Sequence, residues 1–173
     1  MTDHDRIDDL RRRVQQEPAS IAFAQLAEEY RRTGQNREAV DTCRAGLALH
    51  PEYLSARVTL GRALLALDLP ADAVSELTMV LSSAPENLAA LRALAEAHRR
   101  MDNLTEALGL FATASRLAPN DPEIERGIAD VRTALDDERR DPAAARRGRA
   151  RRTVVTLERW LEAIHAARAD RRP

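Results

Sequence analysis

Apolar residues recur at three- and four-residue intervals along most of this chain, which puts one nonpolar stripe on each of a series of short helices. Phe23, Leu26, Ala27 and Tyr30 mark a first helix, and Ala39, Cys43 and Gly46 a second. The pattern returns as Leu60, Gly61 and Leu64, then Ala73, Leu77 and Val80. It returns again as Leu91, Leu94, Ala95 and His98, then Ala107, Phe111 and Ala114. Pro51, Pro85 and Pro119 stand 34 residues apart, each just past a second helix. A residue with no backbone donor cannot continue a helix there. Ala27, Ala39, Gly61, Ala73, Ala95 and Ala107 recur where two helix backbones are expected to approach closely, and a larger side chain would overpack the contact.

The pattern continues on both flanks. Ile7, Leu10 and Val14 lie at helical spacing ahead of Pro18 and predict a lone helix over residues 5–17 that covers the first repeat. Asp121-Pro122 reads as a helix start, a capping side chain followed by proline at the first helical position. Ile124, Ile128, Val131 and Leu135 then share one face, so residues 121–139 are expected to close the stack. Residues 140–152 carry arginine, alanine, proline and glycine without an apolar stripe, which predicts a flexible linker. Two readings of it stay open: a soluble tether, or a contact for phosphates of nucleic acid or an anionic membrane. No aromatic residue is interleaved there to stack on bases.

After the linker, Thr153 is placed to cap a helix over residues 153–169 in which Val154, Leu157, Trp160, Leu161 and Ile164 share a face. A lone helix of this length is marginal in water and needs a surface to dock on. That surface is a partner's groove, the chain's own repeats or a second copy; the pattern does not choose among them.

The repeated columns, a bulky residue, then Leu-Gly/Ala, Tyr, Ala, Phe, Ala and Pro, are met three times in phase between residues 20 and 119, and they resemble the tetratricopeptide repeat (TPR) family. Arg57 departs from the bulky column and His98 from the tyrosine column. The resemblance implies an all-α TPR solenoid: three full repeats over residues 19–119, N- and C-terminal capping helices, and here a tethered amphipathic helix besides. It also implies a concave inner face that holds a peptide or helix of another protein. Mapped onto this chain, that face takes Ile21, Ala24, Glu28 and Arg31 from the first repeat, Ser55, Val58, Arg62 and Leu65 from the second, and Ala89, Arg92, Glu96 and Arg99 from the third. Glu123, Arg126 and Asp130 follow from the closing helix. The lysine–asparagine clamp by which chaperone-binding members grip a C-terminal carboxylate is missing, since its asparagine columns hold Glu28, Thr59 and Arg62 and the chain has no lysine. A segment with apolar and acidic residues is the better expectation.

Composition narrows the function. The aromatics are only Phe23, Tyr30, Tyr53, Phe111 and Trp160, too few to anchor one compact globule of 173 residues but sufficient for a solenoid packed with alanine and leucine. The net charge of −1 hides an asymmetry: from Glu138 onward eleven arginines face five acids, and the preceding residues are acidic in balance. Cys43 falls on a core column, and His4, His50, His98 and His165 are scattered without ligand spacing. No glycine-rich phosphate loop is present. The expectation is therefore a non-enzymatic adaptor with no cofactor, metal or small-molecule substrate. The acidic stretch Met1–Asp9 has no hydrophobic segment and no run is long enough for a bilayer, so a cytoplasmic location is expected. Its partner would be an unidentified protein. The alternatives are an accessory role on nucleic acid or an anionic surface through the arginine-rich segment, and self-association through Trp160.

Overall fold

The computed structural model describes residues 3–17, 20–143, 146–148, 150, 153–155, 157, 158 and 161. Its continuous helices are α1 (Asp3–Gln16), α2 (Ala22–Arg32), α3 (Asn36–Leu49), α4 (Leu54–Ala66), α5 (Pro70–Ser83), α6 (Leu88–Arg100), α7 (Leu104–Leu117) and α8 (Pro122–Arg140). The chain divides into two compact units, Met1–Val131 and Arg132–Pro173. The first is a TPR solenoid in which α2/α3, α4/α5 and α6/α7 are the three helix pairs.

The period of the sequence reappears as geometry in the turns. Within each pair the first helix ends on a left-handed residue, Gly34 (φ 81°), Asp68 (φ 58°) or Asp102 (φ 66°), again at 34-residue spacing. The following amide closes the same six-residue loop each time: Gln35 to Tyr30 O at 2.8 Å, Leu69 to Leu64 O at 2.9 Å, Asn103 to His98 O at 2.9 Å. These are Schellman ends, in which a left-handed residue turns the chain while the last carbonyls of the helix stay satisfied. Only the first turn uses glycine; aspartate tolerates the left-handed region better than most side chains. Between pairs, His50, Ala84 and Ala118 precede the prolines at φ −130°, −137° and −133°. A following proline disfavours the helical region, so each second helix stops at the same place.

The core lies between the helices of successive layers. Ala27, Ala39, Ala73, Ala95 and Ala107 are completely buried, as are Cys43, Leu77, Val80 and Ala114. Glycines make room for large side chains: a Cβ on Gly61 would lie 2.6 Å from Leu77, and one on Gly127 would lie 2.5 Å from the Phe111 ring. Arg57 keeps its place in the bulky column because its head finds partners while the side chain stays largely covered. It donates to Pro51 O at 3.0 and 2.8 Å and pairs with Glu76 at 2.7 Å, so its stem packs while its charge ties the loop to α5. The Cys43 thiol donates to Ala56 O at 3.4 Å, and burial pushes its pKa up to about 12, which makes it an inert core residue.

The ends are attached differently. Ile7 and Leu10 of α1 are buried against the first repeat, where Arg6 pairs with the buried Glu29 at 2.9 Å and Arg11 donates to Tyr30 Oη at 2.9 and 3.1 Å. At α8, Asp121 Oδ1 accepts from the amides of Glu123 and Ile124 at 2.9 and 3.2 Å. Ile124 and Val131 fill the core behind it.

In the second unit, residues 142, 143, 146–148 and 150 are helical, although they lie in the segment expected to be a flexible linker. Alanine and arginine are strong helix formers, and Asp141-Pro142 offers a helix start, so local propensity operates there without an apolar stripe. Val154, Leu157 and Leu161 are helical and about half exposed. Trp160 and Ile164 lie outside the described residues.

Candidate peptide-binding groove

Within the first unit, first helices touch first helices: α2 meets α4 and α4 meets α6. No comparable contact joins α3 to α5 or α5 to α7 among the described residues. Closer approach on one side bends the layers, and the first helices line the inside of the bend. A groove of about 460 Å³ lies there, walled by α4, α6 and α8 and reaching Arg31 of α2.

Of the residues expected on the inner face, Arg31, Arg62, Leu65, Ala89, Arg92, Glu96, Arg99 and Arg126 line this groove, together with Glu123 and Asp130. Glu28 stands behind Arg31, bound to it. Ile21, Ala24, Ser55 and Val58 are not part of the lining. Ile21 and Ser55 are exposed at the starts of α2 and α4, and Ala24 and Val58 follow one turn later on the same helices; the groove is lined by residues further along them. Ala66, Ala93, Arg100, Phe111 and Gly127 line the groove without having been expected to. Arg100 was hidden because its own helix position faces aside; its guanidinium reaches across to Leu65 O at 2.7 Å. Gly127 lies off the small-residue columns and aligns with Thr59 and Ala93; a Cβ there would meet the Phe111 ring at 2.5 Å, a contact visible only in the fold.

The groove is cationic although the body around it is acidic in balance: its lining has six arginines against three acids. Most of these charges are neutralised internally. Arg31 forks onto Glu28 at 2.9 and 2.7 Å, and Thr59 Oγ1 donates to the same carboxylate at 3.1 Å. Arg99 forks onto Glu96 at 2.7 and 2.9 Å, and Arg100 adds a bond at 2.6 Å. Arg92 pairs with Asp121 at 3.6 Å and with Glu123. Such bidentate bonds are stronger than single neutral ones and hold the guanidinium planes in place.

These pairs set the pKa values. Hydrogen bonds from Arg31 hold the Glu28 carboxyl below its ordinary value, with further help from Thr59 and the Arg62 charge, against the opposing effect of burial. Burial pushes Glu96 up, but the bonds from Arg99 and Arg100 together outweigh it and its pKa is lowered. A carboxyl with a depressed folded-state pKa contributes stability that is fully present above its ordinary value of 4.5 and lost as pH falls through the folded-state value. Melting temperatures should therefore drop between about pH 5 and pH 3. In Glu28→Gln and Glu96→Gln variants that drop should be smaller, and a drop of unchanged size would show that these pairs contribute nothing to folding.

Comparison with known proteins agrees with this architecture. Two tetratricopeptide repeat profiles match, over residues 25–77 and 69–131. No curated protein matches the chain in sequence. Among solved structures, MamA (residues 41 to the end) from Desulfovibrio magneticus RS-1 superposes with a TM-score of 0.73 at 17% identity, covering 98% of this chain and 88% of that one. The first TPR domain of human RPAP3 superposes with a TM-score of 0.67 at 19% identity, covering 71% and 97%. The first TPR of Spaghetti (RPAP3), bound to the HSP90 peptide SRMEEVD, gives a TM-score of 0.65 at 19% identity, covering 69% and 94%. At these identities the likeness is one of fold. Repeat phase, turn geometry, layer packing and both profiles converge: the chain belongs to the tetratricopeptide repeat family.

Proposed function

We propose that the chain is a non-enzymatic cytoplasmic adaptor that holds a segment of a partner protein in the groove lined by α4, α6 and α8. The observation that carries this reading is the groove itself: a trough of first helices and α8 whose lining sets Leu65, Ala66 and Ala93 beside forked arginines. Preorganised guanidinium planes beside apolar surface suit a peptide or helix that presents both kinds of side chain. The neighbouring RPAP3 structure holds a peptide, which supports an occupant of that size. Its chaperone ligand is not carried over, because Glu28, Thr59 and Arg62 stand where the family's asparagine clamp would be.

The segment bearing Val154, Leu157, Trp160, Leu161 and Ile164 supplies the second contact in this proposal. Two weak contacts joined in one chain act together, because binding of the first raises the effective concentration of the second. Ala89 tests the groove directly. It is exposed at the start of α6 and lines the groove, so Ala89→Trp fills the space without disturbing the core. The set of proteins captured by the full chain should shrink for this variant at unchanged melting temperature. An identical set would reject the groove as the binding surface.

A further inference from the structure

We propose that the groove selects a partner segment with an acidic side chain at its centre, whose carboxylate seats on Arg62, unpaired on its own helix, between the Arg31 and Arg92 guanidiniums. This deepens the groove-binding reading and rests on it.

The groove's arginines differ in what already neutralises them. Arg31 has Glu28 one turn away on its own helix; Arg99 and Arg100 have Glu96; Arg92 has Asp121 and Glu123; and Arg126 has Glu123 and Asp130 one turn away along α8. Arg62 has no such neighbour, since α4 contains no acidic residue. One repeat earlier and one repeat later, its equivalent positions are Glu28 and Glu96, the two acids already claimed by the arginines of α2 and α6. The nearest carboxylate oxygen, Glu28 Oε1, is 3.8 Å away and already bonded to Arg31 at 2.7 Å. Burial and the charges of Arg31 and Arg92 lower the Arg62 pKa, and Glu28 offsets this only in part. Its side chain is 44% exposed and so accessible to a ligand. An incoming carboxylate supplies the forked partner that the fold leaves out.

The surroundings define the anion further. Glu28 stands 3.8 Å from Arg62, and Glu96 and Asp130 line the same groove; a group with a second negative charge meets them at a cost, so a monoanion fits better than a phosphate or a nucleic-acid backbone. Leu65 and Ala66 continue the wall one turn beyond Arg62, and Ala93 lies on α6. The anion is accordingly an acidic side chain within a segment, with an apolar residue beside it, rather than a chain end.

The test is selection of a displayed library of random peptides on the full-length protein, followed by titration of the enriched peptides against it, Ala89→Trp and Arg62→Gln. The expected result is enrichment of peptides with an Asp or Glu beside an apolar residue, with binding lost in Ala89→Trp. Arg62→Gln should weaken binding roughly ten- to a hundred-fold, as expected for loss of a charge-assisted fork. Replacing the peptide's acid by its amide should cost the same factor, and the two changes together little more than either alone. Arg62→Lys, which keeps the charge and loses the fork, should fall between. Peptides that need an open groove but show no acidic preference, or bind Arg62→Gln unchanged, would overturn the anchor and leave the groove reading standing. Tighter binding of a phosphorylated version would overturn the monoanion assignment. If no peptide is sensitive to Ala89→Trp, both readings fall. Should Arg62→Gln melt early, the acid-to-amide peptide against the unmodified protein decides alone.

Discussion

Phe23→Ala should destabilise the solenoid by about 3–5 kcal/mol, the range for emptying a buried aromatic site. The ring is 1% exposed, stacks on His50 at 5.9 Å with a 6° interplanar angle and tilts against Tyr53 at 5.7 Å. It thus joins α2 to α3 and to the loop that leads into the next repeat. A solenoid is held by contacts between neighbouring layers, so the damage should not spread evenly. Amide exchange should accelerate most in α1, α2 and α3, while α6 and α7 keep their protection. Urea titration of the variant checks the size of the loss, and exchange checks its location. A uniform loss of protection along all helices would show that the first unit unfolds as one block.

Gly46→Ala is the complementary case, and its sign depends on Phe23. A methyl group at residue 46 would lie 2.0 Å from the Phe23 ring, far inside contact distance, so the ring or the α2–α3 spacing has to shift. Overpacking of this kind costs about 1–3 kcal/mol. Alanine is otherwise the better helix residue by about 1 kcal/mol. In a Phe23→Ala background the clash is gone, and Gly46→Ala should become neutral or stabilising. Urea titration of both single variants and the double variant measures this coupling. Additive losses would mean that the helix pair relaxes around the methyl group and that the glycine is not needed for packing.

The phase of the helices was legible because it is written locally. Pro51, Pro85 and Pro119 end helices wherever they occur, and a stripe such as Phe23, Leu26, Ala27 and Tyr30 shows its face without reference to any other part of the chain. The left-handed turns were partly readable: Gly34 advertises one, but Asp68 and Asp102 adopt the same conformation with side chains common on any surface. The groove was read through family columns, which located Arg62, Arg92 and Arg126. The same columns also included Ala24 and Val58, which the groove does not reach, and omitted Arg100, whose long side chain crosses to another repeat. A column specifies where a Cα sits; it does not specify where a guanidinium ends.

Order along the chain was thus decided by short-range chemistry, where turns stop, which residues are small, and which face of each helix avoids water. How charges on different helices meet was decided only in three dimensions. Glu28 has Arg31 on its own helix and Arg62 on the next within reach, and geometry gives it to the first, at 2.7 Å against 3.8 Å. Ion pairing weakens with separation and with exposure to water, so a difference of about an ångström, set by how α2 packs on α4, leaves Arg62 rather than Arg31 to meet a partner.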